Sequence, residues 1–355
     1  MKYTQCSLPK SKYDRIILGH GGGGKLTQSL LSDLFFPAFA NPFLNQQHDG
    51  AILPVHDGRL AYTTDSFVVD PLFFPGGNIG DLAINGTVND LLCCGAIPHY
   101  LSAGFIIEEG LPFDILKKII SSMAKAAQEA NVVIVTGDTK VVERGKCDKI
   151  FINTSGIGIM RPDTQISPLN AQPGDVIIVS GQIGAHGICI LSTRDNLGFE
   201  TTVKSDTASL VDIVENLLSG VPEVHVIRDP TRGGLSSTLN EIASTAHVSI
   251  ELEEEQIPVS EAVCSACELL GLDPLYIANE GIMLFILPGK YAEEALQLIR
   301  NSPHGKNAAI IGRVIGDEKA ELSMKTSFGR KRIIDMVSGE QLPRICYLNI
   351  NCYGR

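Results

Sequence analysis

The sequence predicts an α+β protein built from two domains. Its 355 residues exceed the roughly 100–200 residues of a typical single domain. Strand-like apolar runs alternate with helical periodicity in both halves, and the proline-containing polar stretch at 161–174 has neither pattern. We therefore expect one domain at 15–160 and another at 175–335, with an arm at 1–14 before them and a flexible tail at 336–355 after them.

The first half predicts a β-rich domain. A strand at 15–19 should lead through glycines into an amphipathic helix at 25–36, and the sequence His56-Asp57-Gly58 predicts a hairpin between strands at 51–55 and 59–64. A helix is expected from an N-cap at Asn78 to a stop at Gly95, because Asn favours the first position and Gly the last. The remaining elements are a strand at 101–107, a long helix at 113–130, and strands at 132–135 and 150–159.

The second half repeats the alternation. A strand at 175–179 is followed by a glycine-rich turn at 180–187. Apolar runs and helical periodicity predict the other elements. These are helices at 205–218, 234–246 and 260–270, and strands at 224–227, 249–252, 282–287 and 309–314.

Composition narrows the functional class. Acidic residues outnumber basic ones by 40 to 29, giving a net charge of −11 without any basic tract, so neither nucleic-acid binding nor membrane binding is expected. No apolar run approaches the roughly 20 residues that cross a bilayer, and the polar N-terminus does not resemble a signal peptide. These features predict a soluble, cytoplasmic protein.

Cysteine usage agrees with a reducing compartment. The nine cysteines are odd in number and irregular in spacing, which does not favour a disulfide framework. Cys264 and Cys267 have the spacing of half a zinc site, but no second pair follows them. A helix with both thiols on one packed face is the preferred interpretation.

Four glycines follow the first predicted strand. In His20-Gly21-Gly22-Gly23-Gly24-Lys25, glycines would let backbone N–H groups approach an anion, and the lysine adds a positive charge. The order of residues is not that of a Walker A loop. A phosphate cradle and a flexible turn are both consistent with this segment.

Three carboxylates could supply hard oxygen ligands. Asp65 ends the predicted hairpin, Asp90 lies on an apolar helix, and Asp138 directly follows an apolar strand. Together they would suit Mg²⁺, which prefers carboxylate oxygen. A capped turn is the alternative for Asp138.

Polar residues beside these carboxylates are also candidates. Asn85 and Asn89 share one face of the apolar helix, which favours ligand binding, with a hydrogen-bond network between helices as the alternative. Thr139 and Lys140 follow Asp138, and the lysine suits phosphate neutralisation or proton transfer. Glu280 begins an apolar strand, where it is either a solvated turn residue or a partly desolvated general base.

Several longer motifs carry a resemblance to a known family. They are the glycines after His20, Thr64-Asp-Ser66, the PLFFPGGNIG run ending at Gly80, Asn89-Asp90, VTGDTKVV at 135–142, Asp229-Pro-Thr-Arg-Gly233, Ala278-Asn-Glu-Gly281 and Pro343-Arg-Ile-Cys346. With these motifs the chain resembles the HypE family of hydrogenase-maturation carbamoyl dehydratases, within the superfamily of aminoimidazole ribonucleotide synthetase and selenophosphate synthetase. The resemblance extends from Gly19 to Cys346.

The resemblance implies a PurM-like architecture, with a β-rich ATP-binding domain, an α+β domain and a mobile tail. In such proteins the transferase HypF places a carbamoyl group on the cysteine that matches Cys346. ATP then drives its dehydration to a thiocyanate, which donates cyanide through the HypC–HypD complex to the iron of NiFe hydrogenase. The family is homodimeric.

By the same resemblance, the candidate site residues take roles. Gly21, Gly22, Gly23 and Gly24 would cradle the ATP phosphates, with Asn89 and Thr139 also at the nucleotide. Asp65, Asp90 and Asp138 would bind Mg²⁺. Glu280 and Lys140 are the candidates for the base that takes the N–H proton.

One departure leaves alternatives open. Nine residues, 347–355, follow the carrier cysteine, where the family pattern ends. They could hinder the thiol, which keeps open an ATP-binding maturation scaffold with a disabled tail. Cys352 is a less suitable carrier because it lacks the Pro-Arg-Ile context. A selenophosphate-synthetase-like enzyme using Cys6 and Lys25 is a further alternative, but it leaves the Pro343–Cys346 motif unexplained.

Overall fold

The structure is a computed structural model, and it describes residues 13–22, 25–46, 51, 53–54, 58–162, 164–194, 202–316 and 319–336. Two α+β domains are formed, as the sequence predicts. Gly23, Gly24, Cys346, the two candidate cysteines Cys6 and Cys352, and nearly all of the predicted arm and tail lie outside the described residues.

The N-terminal domain is built on a four-stranded sheet with the order β1-β6-β4-β5, in which only the β4–β5 pair is parallel. A π-helical stretch, Leu31–Phe35, joins the first two helices into one continuous segment. The elements are α1 (Lys25–Leu30), α2 (Phe36–Ala38), β1 (Leu60–Phe67), β2 (Phe73–Phe74), β3 (Gly77–Asn78), α3 (Ile79–Cys93), β4 (Ala96–Glu108), α4 (Phe113–Glu129), β5 (Val133–Val142) and β6 (Ile150–Met160).

Helix α3 begins where the sequence predicts it. The Asn78 side chain accepts a hydrogen bond from the Gly80 N–H, and the Asp81 carboxylate accepts one from the Asn78 N–H, which together make a capping box. Twelve of the fifteen residues of α3 are buried. The helix is buried on nearly all sides because it packs between the four-stranded sheet, α4 and elements of the second domain.

The C-terminal domain contains a seven-stranded mixed sheet with the order β13-β12-β9-β11-β7-β10-β8. Its strands are β7 (Asp175–Val179), β8 (Val226–Arg228), β9 (Ser249–Glu253), β10 (Leu284–Pro288), β11 (Ala309–Ile315), β12 (Leu322–Lys325) and β13 (Lys331–Ile333). Its helices are α5 (Ala185–Thr193), α6 (Val211–Gly220), α7 (Gly234–Ala246), α8 (Glu261–Leu270) and α9 (Ala292–Arg300).

The two domains share an apolar core. Residues of α7 pack with one face of the seven-stranded sheet in a separate cluster. Apolar residues of α5, α6, α8 and α9, such as Ile188 and Leu217, belong instead to the cluster that also contains the buried residues of α3 and α4. Continuous packing of this kind fixes the cleft between the domains.

Several predicted elements differ in the structure. No strand forms at 15–19, where Arg15 makes an isolated bridge to Pro112 and a 3₁₀ turn follows at Leu18–Gly21. The predicted glycine turn at 180–187 already contains the start of α5. The second strand of the predicted hairpin forms within β1. In the first predicted strand, the described residues Ala51, Leu53 and Pro54 are not in a strand, and the other residues before Gly58 lie outside the described part.

The predicted helix at 205–218 starts only at Val211. The preceding segment makes competing hydrogen bonds: the Thr207 N–H donates to Ser205 Oγ, and the Leu210 N–H donates to the Asn89 side chain. Side-chain acceptors that bind backbone N–H groups in this way take the place of helical bonding. No helix in the described part of the chain is long and apolar enough to cross a membrane.

Candidate active site

A cavity of about 500 Å³ lies between the domains. β1, α3, α5 and two loops of the second domain each contribute polar or charged side chains to its wall. Those side chains are Asp65, Ser66, Asp90, His186, Arg194, Asp229, Thr231, Arg232, Tyr276 and Glu280. Acidic groups from both domains therefore face one space.

Asp65, Asp90 and Asp229 form the acidic side of this cavity. The Thr63 hydroxyl donates to Asp90 Oδ2 at 2.9 Å. The pKa of Asp90 is raised to about 7, chiefly by burial and then by the negative charge of Asp229, against the Thr63 hydrogen bond and with a smaller contribution from Asp65. Burial also raises the pKa of Asp229. Neighbouring carboxylates on one wall of a cavity are a suitable environment for a divalent cation, so Asp65 and Asp90 fit Mg²⁺.

Glu280 lies deep in the same cavity. Burial raises its pKa well above the ordinary value, and the nearby carboxylates Asp206 and Asp229 add to the effect. The structure therefore favours the desolvated-base interpretation of this residue over the solvated turn.

The loop that carries Glu280 is held from two sides. Asp206 Oδ2 accepts hydrogen bonds from the N–H groups of Glu280 (3.1 Å) and Gly281 (3.0 Å). The Asn279 side chain donates to the Pro230 carbonyl and accepts from the Gly184 N–H at 2.7 Å. A Cβ atom at Gly281 would collide with the backbone of Asp206, so the close approach requires glycine.

The expected cluster of Asp65, Asp90 and Asp138 does not form within one chain. β1 and β5 lie at opposite edges of the sheet, three strand spacings or about 14 Å apart. Asp65 pairs with Thr154, which faces α3, whereas Asp138 pairs with Gly104 on the alternate, open face. Among the described residues, no group of three or more His, Cys, Asp or Glu could hold a metal ion.

The sequence predicted that Asp138 follows the end of a strand, but in the structure it lies within β5. β5 continues to Val142 because 136–142 pairs in parallel register with β4. Asp138 and Lys140 are exposed on this strand, with 3.9 Å between Lys140 Nζ and Asp138 Oδ2, while Thr139 is buried. Lys140 therefore does not reach Glu280 in a single chain.

The first two glycines lie beside the same strand. Gly21 packs so closely on Val141 that a Cβ atom there would be 2.5 Å from the Val141 nitrogen. Asp138 and Thr139 line a second cavity of about 740 Å³, together with aromatic side chains from the 25–46 region. Gly21, Gly22 and β5 thus share one edge of the domain, and the Lys25 side chain lies outside the described part.

Asn89 has a different position from the one expected. Its Nδ2 donates to the Ala208 carbonyl at 3.0 Å, its Oδ1 accepts from the Leu210 N–H at 3.1 Å, and the residue is 2% exposed. Both ends of the amide are therefore used between the domains rather than on a ligand. The alternative, a structural hydrogen-bond network, describes it better, although the partner is a loop and not a helix.

The predicted site residues did not include His186, Arg194, Asp229 or Arg232 of the cavity wall, although the sequence left open whether His186 touches substrate or is a turn residue. Asp229 and Arg232 stand in a conspicuous Asp-Pro-Thr-Arg motif, and His186 lies between glycines, but no pattern places them beside Glu280. Arg194 has no local signal. The Cys264/Cys267 pair lies on α8, with Cys267 in the apolar core, which agrees with the packing interpretation.

Comparison with known proteins identifies the family. Residues 47–160 match the family model described as "AIR synthase related protein, N-terminal domain", and residues 172–325 match its C-terminal counterpart. The carbamoyl dehydratase HypE of Azotobacter vinelandii is 52% identical over 327 residues, covering 92% of this chain and 96% of the relative. The HypE of Escherichia coli K12 is 47% identical, covering 94% and 100%. The chain belongs to the HypE family of carbamoyl dehydratases.

Solved structures agree with this assignment. A crystal structure of the hydrogenase maturation protein HypE in complex with ATP superposes with a TM-score of 0.88 at 51% identity, covering 93% of this chain and 99% of that one. A HypE–HypF complex gives 0.77 at 47% identity, covering 87% and 100%. Thiamine monophosphate kinase from Aquifex aeolicus, at 20% identity and 0.59, shows the fold alone. The resemblance and the PurM-like two-domain architecture are confirmed, and the chain is a HypE-family enzyme of hydrogenase maturation.

Proposed function

We propose that this chain uses ATP to dehydrate a carbamoyl group on the thiol of Cys346 to a thiocyanate, which supplies cyanide ligands for NiFe hydrogenase. The observation that carries the proposal is the half-buried Glu280, which lines an interdomain cavity together with Asp65 and Asp90. A base and a candidate cation site in one enclosed space suit phosphoryl transfer followed by proton removal.

The chemistry of dehydration requires both the candidate cation site at Asp65 and Asp90 and the candidate base Glu280. The oxygen of a carbamoyl group is a poor leaving group, so it must first be phosphorylated. Mg²⁺, when bound, would neutralise phosphate charge, and Asp65 and Asp90 are the residues of this chain that would hold it. Glu280, whose proton affinity is raised by burial, would then take the N–H proton.

The carrier cysteine is within reach of the cavity. Near the end of the described residues, Ser236 Oγ donates a hydrogen bond to the Asp335 carbonyl at 2.7 Å. Ser236 is on α7, directly after the Thr231 and Arg232 wall of the cavity. Cys346 follows Asp335 by eleven positions, and a chain of that length spans up to about 36–40 Å when extended.

The open face of the four-stranded sheet supports a homodimer. Leu60 and Tyr62 on this face are 60% and 68% exposed, and Ile97, Ile106 and Val133 are also exposed. The register aligns Leu60 with Ile97 through β6, and Tyr62 with Val133 through β6 and β4. An exposed apolar sheet face of this kind marks an interface. In a homodimer, the same face of a second copy would pack against it. Asp138 and Lys140 lie on that face and would then stand at the dimer joint, near the nucleotide.

Partners follow from the carrier chemistry. A HypE is known in complex with HypF, and we propose that HypF loads Cys346 of this chain and that HypC–HypD receives the product. The six described cysteines are free thiols, which suits the reducing cytoplasm predicted from the sequence.

The decisive experiment is intact-mass spectrometry of the full chain with HypF, carbamoyl phosphate and MgATP. We expect a gain of one carbamoyl group and then the loss of one water. Cys346→Ala should abolish both changes, whereas the matched control Cys352→Ala should preserve them. Stable carbamoylation without loss of water would contradict the proposal and favour the ATP-binding scaffold.

A further inference from the structure

His186 lies in the wall of the cavity that contains Glu280, but no role has been given to it. It is the second residue of α5, it is 8% exposed, and its ring packs edge-on against Phe74 at 5.6 Å. Burial lowers its pKa to about 4. The imidazole is therefore neutral at physiological pH, and its function depends on which nitrogen carries the proton.

Ser205 is the hydrogen-bond partner of Nδ1. Ser205 Oγ accepts a hydrogen bond from the Thr207 N–H at 3.2 Å and lies 2.9 Å from His186 Nδ1. Because the hydroxyl keeps a second lone pair as well as its hydrogen, it can accept from Nδ1 or donate to it, and a donor at Nε2 requires that it donates to Nδ1. The Ser205 backbone is fixed in turn by its N–H bond to the Pro75 carbonyl at 2.8 Å. With the hydroxyl as the donor, Nδ1 is an acceptor and the imidazole proton is on Nε2.

Nε2 has no hydrogen-bond partner among the described residues, and it is not among the fully buried polar atoms that lack one. The charged groups that line the same cavity are Arg194, Arg232, Asp229 and Glu280, and Asp206 holds the loop of Glu280 beside it. Both arginines carry the charge that a phosphate group attracts. The histidine thus offers a neutral N–H donor in a cavity that also contains a candidate base, Glu280, and the cationic side chains of Arg194 and Arg232.

We propose that His186 is a catalytic residue whose Nε2–H donates a hydrogen bond to the phosphate oxygen that departs during dehydration. This inference rests on the proposed function. In that step Glu280 takes the N–H proton of the phosphorylated carbamoyl group, and the released electron pair completes the carbon–nitrogen triple bond. The carbon–oxygen bond breaks, its electron pair leaves with the phosphate, and the proton passes from Glu280 to give hydrogen phosphate.

The departing oxygen gains negative charge as its bond to carbon breaks. A fixed donor aimed at such an oxygen stabilises the transition state more than the ground state. A neutral imidazole suits this role because it donates without competing for the proton that Glu280 must remove. His186 and Glu280 line one cavity, so the elimination would have a donor and a base in the same space.

The first test concerns the histidine itself and needs no turnover. Long-range ¹H–¹⁵N spectra of the histidine-labelled protein should show His186 with an unprotonated Nδ1 and a protonated Nε2 from pH 8 down to about pH 5. His186→Gln identifies the signals. Ser205→Ala should let the other tautomer appear. A proton on Nδ1, or a charged ring at pH 7, would overturn the inference even if the enzyme dehydrates its substrate.

The second test follows the reaction after the chain has been carbamoylated. His186→Ala should still be loaded by HypF and should still form ADP, but release of phosphate and thiocyanate should slow about 10²-fold. Gln places an N–H donor near the same position, so His186→Gln should retain most of the rate. The matched control is His225→Gln, which removes another buried histidine outside the cavity.

These outcomes separate the two proposals. If wild type never loses water, the proposed function fails, whereas the tautomer result stands on its own. If wild type reacts and His186→Ala matches it in phosphate release, the catalytic role of His186 is wrong.

Discussion

The carboxylate of Asp206 holds Glu280 in place through the backbone. Its Oδ2 accepts the N–H groups of Glu280 and Gly281, at 3.1 and 3.0 Å, while its Oδ1 is buried without a hydrogen-bond partner among the described residues. The same carboxylate raises the proton affinity of Glu280. One acidic residue therefore both positions the candidate base and makes it more basic.

Substitutions at Asp206 should separate these two effects. Asp206→Asn keeps an oxygen that can accept both N–H groups, whereas Asp206→Ala leaves the buried donors unpaired, at a cost of about 1–3 kcal/mol. We expect Ala to lower the dehydration rate more than Asn, with HypF-dependent loading retained in both. Rates of thiocyanate formation and thermal unfolding would be measured together. Equal rates for the two variants would show that the backbone hydrogen bonds do not matter for catalysis.

Asn89 should contribute to stability rather than to nucleotide binding. Its side chain bonds to Ala208 and Leu210 across the domains, so Asn89→Ala should reduce the free energy of unfolding by about 1–3 kcal/mol. ATP affinity, measured by calorimetry below the melting temperature, should be unchanged. Asn85→Ala is the control, since Asn85 makes one longer bond of 3.4 Å to Thr207. A selective loss of ATP affinity in Asn89→Ala would restore the original nucleotide assignment.

Tyr62→Lys tests the proposed dimer face. A lysine at this exposed position would place a charge in the apolar row of the sheet, where its desolvation is costly. We expect sedimentation to show a monomer that keeps the circular dichroism of the wild type. Phe328→Lys is the control, because Phe328 is 91% exposed at a distant turn after β12. A Tyr62→Lys protein that stays dimeric would exclude this face.

Acidification should reveal the buried neutral state of His186. Its pKa is about 4 in the folded chain, compared with a reference value of 6.5. Between pH 6.5 and pH 4 the unfolded chain therefore binds a proton on this imidazole that the folded chain does not. Stability from this group is therefore complete above pH 6.5 and falls as the pH drops toward 4, by up to about 3 kcal/mol. His186→Gln should lose less stability than wild type over this window in denaturant titrations. Parallel curves would show that His186 is not buried in a neutral form.

The sequence by itself determined the α+β class and most regular elements. Helix α3 could be predicted from its cap at Asn78, and α7 from its apolar periodicity, because those signals are local. The motifs around Asp65, Asp90 and Glu280 also identified residues that share the cavity. Helix α9 was missed, as was the whole of α5, which begins within a glycine-rich run.

Only the tertiary structure decided which groups meet. Asp138 and Lys140 are separated from Asp65 by strand order and by the alternation of side chains across the sheet, and neither is apparent from spacing along the chain. Asn89 is engaged by a loop that lies far from it in sequence. Asp206 and His186 lie near Glu280 because distant segments of the C-terminal domain pack together, and long-range packing of this kind leaves no local signal in the sequence.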